Sequence, residues 1–150
     1  MSSRQISYGA LLPVPQDRAF AFVSDPQQWP LFFRTMQSGE ALDGWGRPGG
    51  RGRQHVRFLG RRVTFELELL EWDEPHSFRY LASQPGWPVL DHARTFVPED
   101  GGTRLRATTT LTLRRGLLGL RDRVEVRFLP RLLDDAMARL PAAVVGPWRT

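Results

Sequence analysis

Between about residue 53 and residue 113 the chain repeats one pattern, in which short stretches of alternating apolar and polar residues are separated by turns rich in Gly, Pro and Asp. In the clearest stretch, Arg62–Trp72, every second residue from Val63 to Leu69 is apolar. The other strands predicted in this part are Arg53–Leu59, Ser77–Ala82, Leu90–Val97 and Thr103–Leu113. An antiparallel sheet of such strands has one apolar face, and another element must cover it.

The C-terminal part offers the only long amphipathic helix that can cover this face. Residues Leu117–Val145 are predicted to be mostly helical, with Leu129, Leu133, Ala136, Met137 and Leu140 as the apolar stripe. Pro130 must kink or restart any helix that contains it. The alternation from Val124 to Phe128 also fits a strand, so this stretch has two readings.

The N-terminal part adds one strand and two short helices. Gln5–Leu12 reads as a strand that ends at prolines, followed by helices at Gln16–Val23 and Pro26–Phe33. We therefore expect one domain of the α+β class, in which a curved antiparallel sheet of six or seven strands surrounds the C-terminal helix. A cavity between the sheet and this helix is a natural ligand site.

Composition excludes several kinds of chemistry. The 150 residues include 21 basic residues, all of them arginine, and no cysteine, which excludes a Schiff-base lysine, a Walker-type phosphate loop, disulfides and a cysteine nucleophile. Three dispersed histidines without cysteine form no metal-binding pattern, and we expect neither a metal nor another cofactor. No apolar run reaches the roughly 18 residues of a membrane helix, and residues 1–10 lack a secretory signal. We expect a cytoplasmic protein.

Four stretches together resemble a known superfamily. They are VPQDRAFAFVSDPQQWP at Val14–Pro30, EWDEPHSFRY at Glu71–Tyr80, FVPEDGGTRL at Phe96–Leu105, and the segment Leu117–Leu140. The chain from about Ile6 to Leu140 resembles the START-like polyketide cyclase/dehydrase superfamily, also called the SRPBCC, Bet v 1-like or helix-grip fold. The resemblance implies an apolar cavity and a bulky hydrophobic ligand. It does not supply a reaction, because the superfamily contains aromatase/cyclases, lipid and quinone carriers, and hormone receptors.

The strand Leu90–Val97 carries the sharpest candidate site. Alternation places His92 and Arg94 on the same face as Leu90 and Phe96, which should face the core. An inward Arg needs a carboxylate or a ligand oxyanion as its partner, and an inward His can act as a general base. We therefore predict that His92 moves a proton while Arg94 stabilises the charge on an oxygen. The alternative is a register slip or bulge that turns both side chains to solvent.

Aromatic and apolar residues near this strand are the candidate substrate contacts. Trp87 lies in a Pro- and Gly-rich loop before the strand, where it can act as a lid, and Tyr80 can offer a hydroxyl group. The complete predicted set is Tyr80, Trp87, Phe96, Phe65, Phe78 and Met137. The alternative for Tyr80 and Trp87 is ordinary core packing with their polar hydrogens satisfied locally.

Residues 47–62 contain six arginines and no acidic residue. We expect Arg51, Arg53, Arg57, Arg61 and Arg62 to lie exposed on one hairpin without nearby acids, with the first three on a single face. If the substrate is carrier-bound, an acidic acyl carrier protein is expected to dock here beside the cavity mouth. A solvated hairpin is the alternative, and nucleic acid is a weaker candidate since no stacking platform is evident. Glu66 and Glu68 are expected to face solvent.

The leading interpretation is a cyclase, aromatase or dehydratase that acts on a hydrophobic, polyketide-like substrate in an internal cavity. The alternative is a non-catalytic carrier of a lipid, quinone or isoprenoid, in which Arg94 neutralises an acidic head group. His92 separates the two, because only the enzyme needs it for turnover.

Overall fold

The computed structural model describes residues 2–58 and 60–150, and within them it has one antiparallel sheet of seven strands. The strands are β1 (Ser2–Leu12), β2 (Met36–Ala41), β3 (Arg51–Phe58), β4 (Arg61–Asp73), β5 (Ser77–Ser83), β6 (Leu90–Glu99) and β7 (Gly102–Leu113). Their order across the sheet is β1-β7-β6-β5-β4-β3-β2, so among these strands only β1 pairs with a distant part of the sequence. This is the predicted helix-grip arrangement.

Two short helical segments follow β1, as predicted. Helix α1 spans Gln16–Val23, and a 3₁₀ helix spans Pro26–Leu31. Asp25 caps the second segment by accepting the backbone N–H of Gln27 at 3.0 Å. The sequence predicted that this segment reaches Phe33, but Pro30 lies inside it and cannot donate a backbone hydrogen bond, which suits a short 3₁₀ turn.

The C-terminal segment divides into α2 (Gly116–Val126) and α3 (Leu129–Val145). The division confirms the effect predicted for Pro130, which occupies the first turn of α3, where its missing N–H has no partner to lose. The alternation between Val124 and Phe128 does not form a strand. None of the helices among the described residues is long and apolar enough to cross a membrane.

Helix α3 lies against the apolar face of the sheet. Leu133, Ala136, Met137, Leu140 and Val144 are buried in one core cluster with the inward residues of β4, β5 and β7. Leu129 packs at the edge of this cluster and also against the smaller cluster that contains Leu111. Each large apolar side chain buried here contributes roughly 1.5–3 kcal/mol. The apolar stripe of α3 therefore covers the sheet as the pattern predicted.

Strand β2 was not predicted as a separate element. Its residues Gln37, Ser38, Gly39 and Glu40 have little intrinsic preference for a strand. A Cβ on Gly39 would lie 2.1 Å from the carbonyl oxygen of Pro26, so only glycine lets the 3₁₀ helix approach β2 this closely. Pairing with β3 and this contact define the strand. The prediction for Leu59, at the end of β3, lies outside the described residues.

Candidate functional site

A cavity of about 110 Å³ lies between the sheet and the start of α3. Residues of β3 to β6 form one wall, and Val126, Leu129, Leu132 and Leu133 form the other. The half-buried wall residues mark its mouth, and they are Phe33, Thr35, Val56, Phe58, Trp87, Leu90, Leu129 and Leu132. The lining is mostly apolar, with Gln54, Tyr80, His92 and Arg94 as the larger polar side chains. This lining suits an apolar ligand that carries one polar end. Sites for drug-sized ligands have volumes of roughly 300–1,000 Å³, so a bulky ligand requires the walls of this cavity to move apart.

Arg94 is the polar end of this cavity. Its side chain is 2% exposed, and its guanidinium carbon lies 5.4–5.8 Å from the ring centres of Trp29, Phe78 and Tyr80. It forms no salt bridge with a carboxylate among the described residues, and its Nε and Nη1 atoms are buried without a hydrogen-bond partner. Burial acts to lower the pKa of Arg94, but the phenol groups of Tyr80 and Tyr8 outweigh it and leave that pKa above its usual value. The cavity therefore contains a buried positive charge with free donors.

His92 lies next to this charge on the same face of β6. Its Nδ1 is 2.8 Å from Oγ1 of Thr109, which is in turn 2.8 Å from the hydroxyl of Tyr8. All three groups are buried. Burial, reinforced by the charge of Arg94, holds the pKa of His92 well below 6.5, so the ring is neutral at pH 7. Nε2 has no hydrogen-bond partner among the described residues, and His92 lines the cavity.

The ring of Tyr80 packs against both His92 and the guanidinium of Arg94. Its ring stacks on His92 at 4.8 Å between centres and on Trp29 at 5.2 Å, and it lines the cavity. Burial raises the pKa of Tyr80 above its usual value, although the charge of Arg94 acts in the opposite direction. The phenol is therefore protonated at neutral pH and can donate a hydrogen bond.

The structure brings together most of the residues predicted for the site. His92, Arg94, Tyr80, Trp87 and Phe65 all line the cavity, and the inward orientation predicted for β6 is correct. Trp87 lies at the mouth, with its ring 5.6 Å from that of Phe58 and 5.8 Å from that of Phe65. The position fits a lid, and contact with a substrate stays a prediction.

Three predicted contacts lie elsewhere. Phe78, Phe96 and Met137 are buried in the core and do not line the cavity. All three face inward as predicted, but Phe20 of α1 fills that end of the sheet and packs edge-on against Phe78 at 5.7 Å and Phe96 at 5.3 Å. Met137 lies one turn of α3 beyond Leu133, past the end of the cavity. Phe78 still contributes by packing beside the Arg94 guanidinium.

The sequence interpretation missed four residues around the site. Thr109 and Tyr8 hold His92, Trp29 supports Tyr80 and Arg94, and Gln54 is buried in the cavity wall. Thr109 and Gln54 had a usable signal, because each is a polar residue in an inward-facing row of a strand. Trp29 had none, since its neighbours depend on how the 3₁₀ helix packs.

The expectation of arginines without nearby acids on β3 is wrong for two of the three. Register pairs Arg53 with Glu66 and Arg51 with Glu68 on β4, with side-chain distances of 3.0 Å and 3.9 Å. The two glutamates face outward as predicted, and that places them directly opposite the arginines. Arg57 is exposed and has no ion pair among the described residues. Docking of an acyl carrier protein here stays a prediction, with less net charge to support it.

Comparison with known proteins gives one family and one fold. Residues 4–145 match the family described as polyketide cyclase / dehydrase and lipid transport. The structure is similar to TTHA0849 from Thermus thermophilus (20% identity, 95% of this chain and 97% of that chain, TM-score 0.75). It is also similar to Ara h 8.0201 (18%, 96% and 99%, 0.69) and to the di-domain ARO/CYC BexL from the BE-7585A biosynthetic pathway (15%, 97% and 51%, 0.71). No curated protein sequence matches the chain.

Proposed function

Because the chain belongs to the polyketide cyclase/dehydrase and lipid transport family, we propose that its cavity is a cofactor-independent active site for cyclisation or dehydration of a hydrophobic, polyketide-like substrate. The di-domain ARO/CYC BexL has the same fold, which supports this proposal.

One observation carries the proposal: the buried guanidinium of Arg94 has two donors without partners. A buried charge is costly unless something pairs with it, and the phenols of Tyr80 and Tyr8 leave Nε and Nη1 of Arg94 without a partner, so a ligand oxygen with negative charge would be a favourable partner for these donors. An enolate oxygen fits, because its charge develops during the reaction and Arg94 would stabilise it at that moment. The apolar walls would hold the rest of the substrate.

The proposed reaction is redox-neutral and needs one proton carrier. Nε2 of His92 removes a proton from a carbon between two carbonyl groups, and the resulting enolate oxygen is held by Arg94. The enolate carbon then forms a bond to the carbon of a third, more distant carbonyl group of the same chain. The alkoxide formed on that carbonyl takes the proton back from His92, so the enzyme is regenerated and no atom is lost.

A second function is a carrier for an apolar carboxylate, and the environment of His92 favours it. His92 is a weak base because its pKa is low, and no carboxylate lines the cavity among the described residues. The hydrogen bonds of Thr109 decide between the two functions. If Thr109 donates to Nδ1, His92 presents Nε2–H and acts as a donor to a carboxylate, whereas a base requires the opposite direction.

Two measurements test the proposal. Nitrogen-15 NMR of His92 should find the proton on Nδ1 if the site is basic, and on Nε2 if it is a carrier. In the second, the wild-type protein should accelerate the keto–enol equilibration of benzoylacetone, followed by the absorbance of the enol. The His92→Phe variant should bind N-phenylnaphthylamine normally and lose this acceleration.

A proton on Nε2 combined with no acceleration by the wild-type protein would reject the enzyme and favour the carrier. Mass spectrometry of any molecule that co-purifies in the cavity would then identify the cargo. As a matched control, His76→Phe changes an exposed histidine far from the cavity wall and should leave both measurements unchanged.

A further inference from the structure

Helix α2 presents an apolar stripe to solvent. Leu117, Leu120 and Val124 are 87%, 60% and 54% exposed, and Leu118 beside them is 50% exposed. The spacing of three and four residues aligns them along one side of the helix. The opposite side is buried through Gly119, Asp122 and Val126. The stripe therefore faces away from the protein, although three exposed apolar residues in line are unusual on a soluble surface.

The surroundings of this stripe are basic. At 100° per residue, Arg121 lies on one side of the stripe and Arg123 and Arg127 lie on the other, and all three are exposed. The helix also contains two acids. Asp122 is fully buried and accepts the backbone N–H of Arg114 at 2.8 Å, so it adds no negative charge to the outer surface, whereas Glu125 offsets one of the three arginine charges. We call the residues Leu117, Leu120, Val124, Arg123 and Arg127 the α2 face.

The α2 face is next to the mouth of the cavity. Val126, at the end of α2, and Leu129, at the start of α3, both line the cavity. Arg114 also donates to the carbonyl oxygen of Gly86 at 3.0 Å, which ties this region to the loop that carries Trp87. Across the mouth, the tip of the β3–β4 hairpin places exposed Arg57, Arg61 and Arg62 around Phe58. Exposed arginines therefore lie on two sides of the opening.

We propose that the α2 face docks the protein peripherally on a membrane that contains anionic lipids. Leucines on a convex helix can enter the boundary of the acyl chains without a complementary groove, and guanidinium groups bind lipid phosphates in pairs of hydrogen bonds. Both requirements are met on the same side of one short helix. Docking brings the cavity mouth to the bilayer, so an apolar ligand can pass without crossing water. The docking does not depend on whether the cavity is catalytic.

Co-sedimentation with lipid vesicles tests the proposal. The protein should sediment with vesicles of equal parts phosphatidylcholine and phosphatidylglycerol, bind phosphatidylcholine alone at least tenfold more weakly, and dissociate as salt is raised. The double variants Leu117→Ser/Leu120→Ser and Arg123→Glu/Arg127→Glu should each weaken binding to the mixed vesicles by tenfold or more. Val97→Ser and Arg106→Glu change exposed residues of the sheet and serve as matched controls without effect.

Since the altered side chains are exposed, thermal unfolding of every variant should match the wild type and exclude misfolding as the cause. The proposal is overturned if wild-type protein binds both kinds of vesicle equally, or if the leucine variant binds the mixed vesicles as well as the wild type. It is also overturned if sedimentation velocity finds a dimer that the leucine variant dissociates while no vesicle binding occurs, because the face would then bind a second copy. Binding to an acidic carrier protein without vesicle binding would overturn it equally.

Discussion

Replacing Arg94 by Met should make the empty protein more stable while it removes affinity for anions. Met keeps a long, unbranched side chain in the same space but has no charge and no donors to satisfy. In the wild type, Nε and Nη1 are buried without partners, and each such donor costs about 1–3 kcal/mol. A cation–π contact with each of the three surrounding rings stabilises the guanidinium by about 0.5–2 kcal/mol, but one cation cannot gain the full energy from all three rings at once.

If the two unpaired donors cost about 2 kcal/mol each and the rings together stabilise the cation by about 2 kcal/mol, the net gain for Arg94→Met is about 2 kcal/mol. For a chain of this length, that gain corresponds to an increase in Tm of roughly 4–8 °C, measured by thermal unfolding without ligand. Affinity is measured with anilinonaphthalene sulfonate, an apolar anion, and with N-phenylnaphthylamine, which lacks the sulfonate. A hydrogen bond to a charged group contributes about 1.5–3 kcal/mol, so the anion should bind roughly 10- to 150-fold more weakly and the neutral probe unchanged.

The matched control is Arg79→Met on the neighbouring strand. Arg79 forms two hydrogen bonds to Asp91, at 2.9 Å and 2.7 Å, on the opposite face of the sheet. This variant loses a partly exposed ion pair, so its Tm should stay or fall slightly and both probes should bind normally. The reasoning is refuted if Arg94→Met lowers the Tm, or if both probes lose the same affinity.

Three more changes probe other parts of the site. Below pH 6.5 the unfolded chain protonates His92 and the folded protein does not, so the free energy of unfolding should fall as the pH falls, by up to about 1.4 kcal/mol per pH unit. In denaturant titrations, His92→Gln should flatten this dependence between about pH 5 and 6.5. An unchanged curve would contradict the low pKa of His92. Asp122→Ala removes the buried carboxylate that holds the backbone of Arg114, and hydrogen exchange should become about tenfold faster in α2 but not in α1. Trp87→Ala removes the ring that packs on Phe58 and Phe65, so N-phenylnaphthylamine should dissociate faster in stopped-flow experiments, whereas Trp148→Ala, far from the mouth, should not change this rate.

The described bounds of β3 to β7 could be predicted to within two residues and the start of β1 to within three, and the inward direction of His92 and Arg94 came from the same pattern. Alternation is a local property that each strand carries in its own residues. The 3₁₀ helix and β2 were harder, because Pro30 and Gly39 act through packing rather than through any periodic pattern.

The candidate site shows the same difference between what a local pattern predicts and what packing decides. The sequence identified five of the residues that line the cavity, but it also placed Phe78, Phe96 and Met137 there. Inward orientation says that a side chain leaves the solvent, and it does not say whether that side chain meets a cavity or another core residue. Here Phe20 of α1 occupies the space next to Phe78 and Phe96, a contact between residues more than 50 positions apart.

By itself the sequence determined which face of each strand is apolar, where the helices lie, and that a charged Arg94 and a His92 point into the interior. Only the tertiary structure decided what meets those two side chains. β1 pairs with β7 across the whole length of the chain, and this brings Tyr8 to Thr109, while the register of β6 on β7 places Thr109 opposite His92. The register of β3 on β4 likewise neutralises Arg51 and Arg53 with Glu68 and Glu66. Burial follows from local periodicity, but hydrogen-bond and ion-pair partners depend on register and packing between distant residues, which no local pattern encodes.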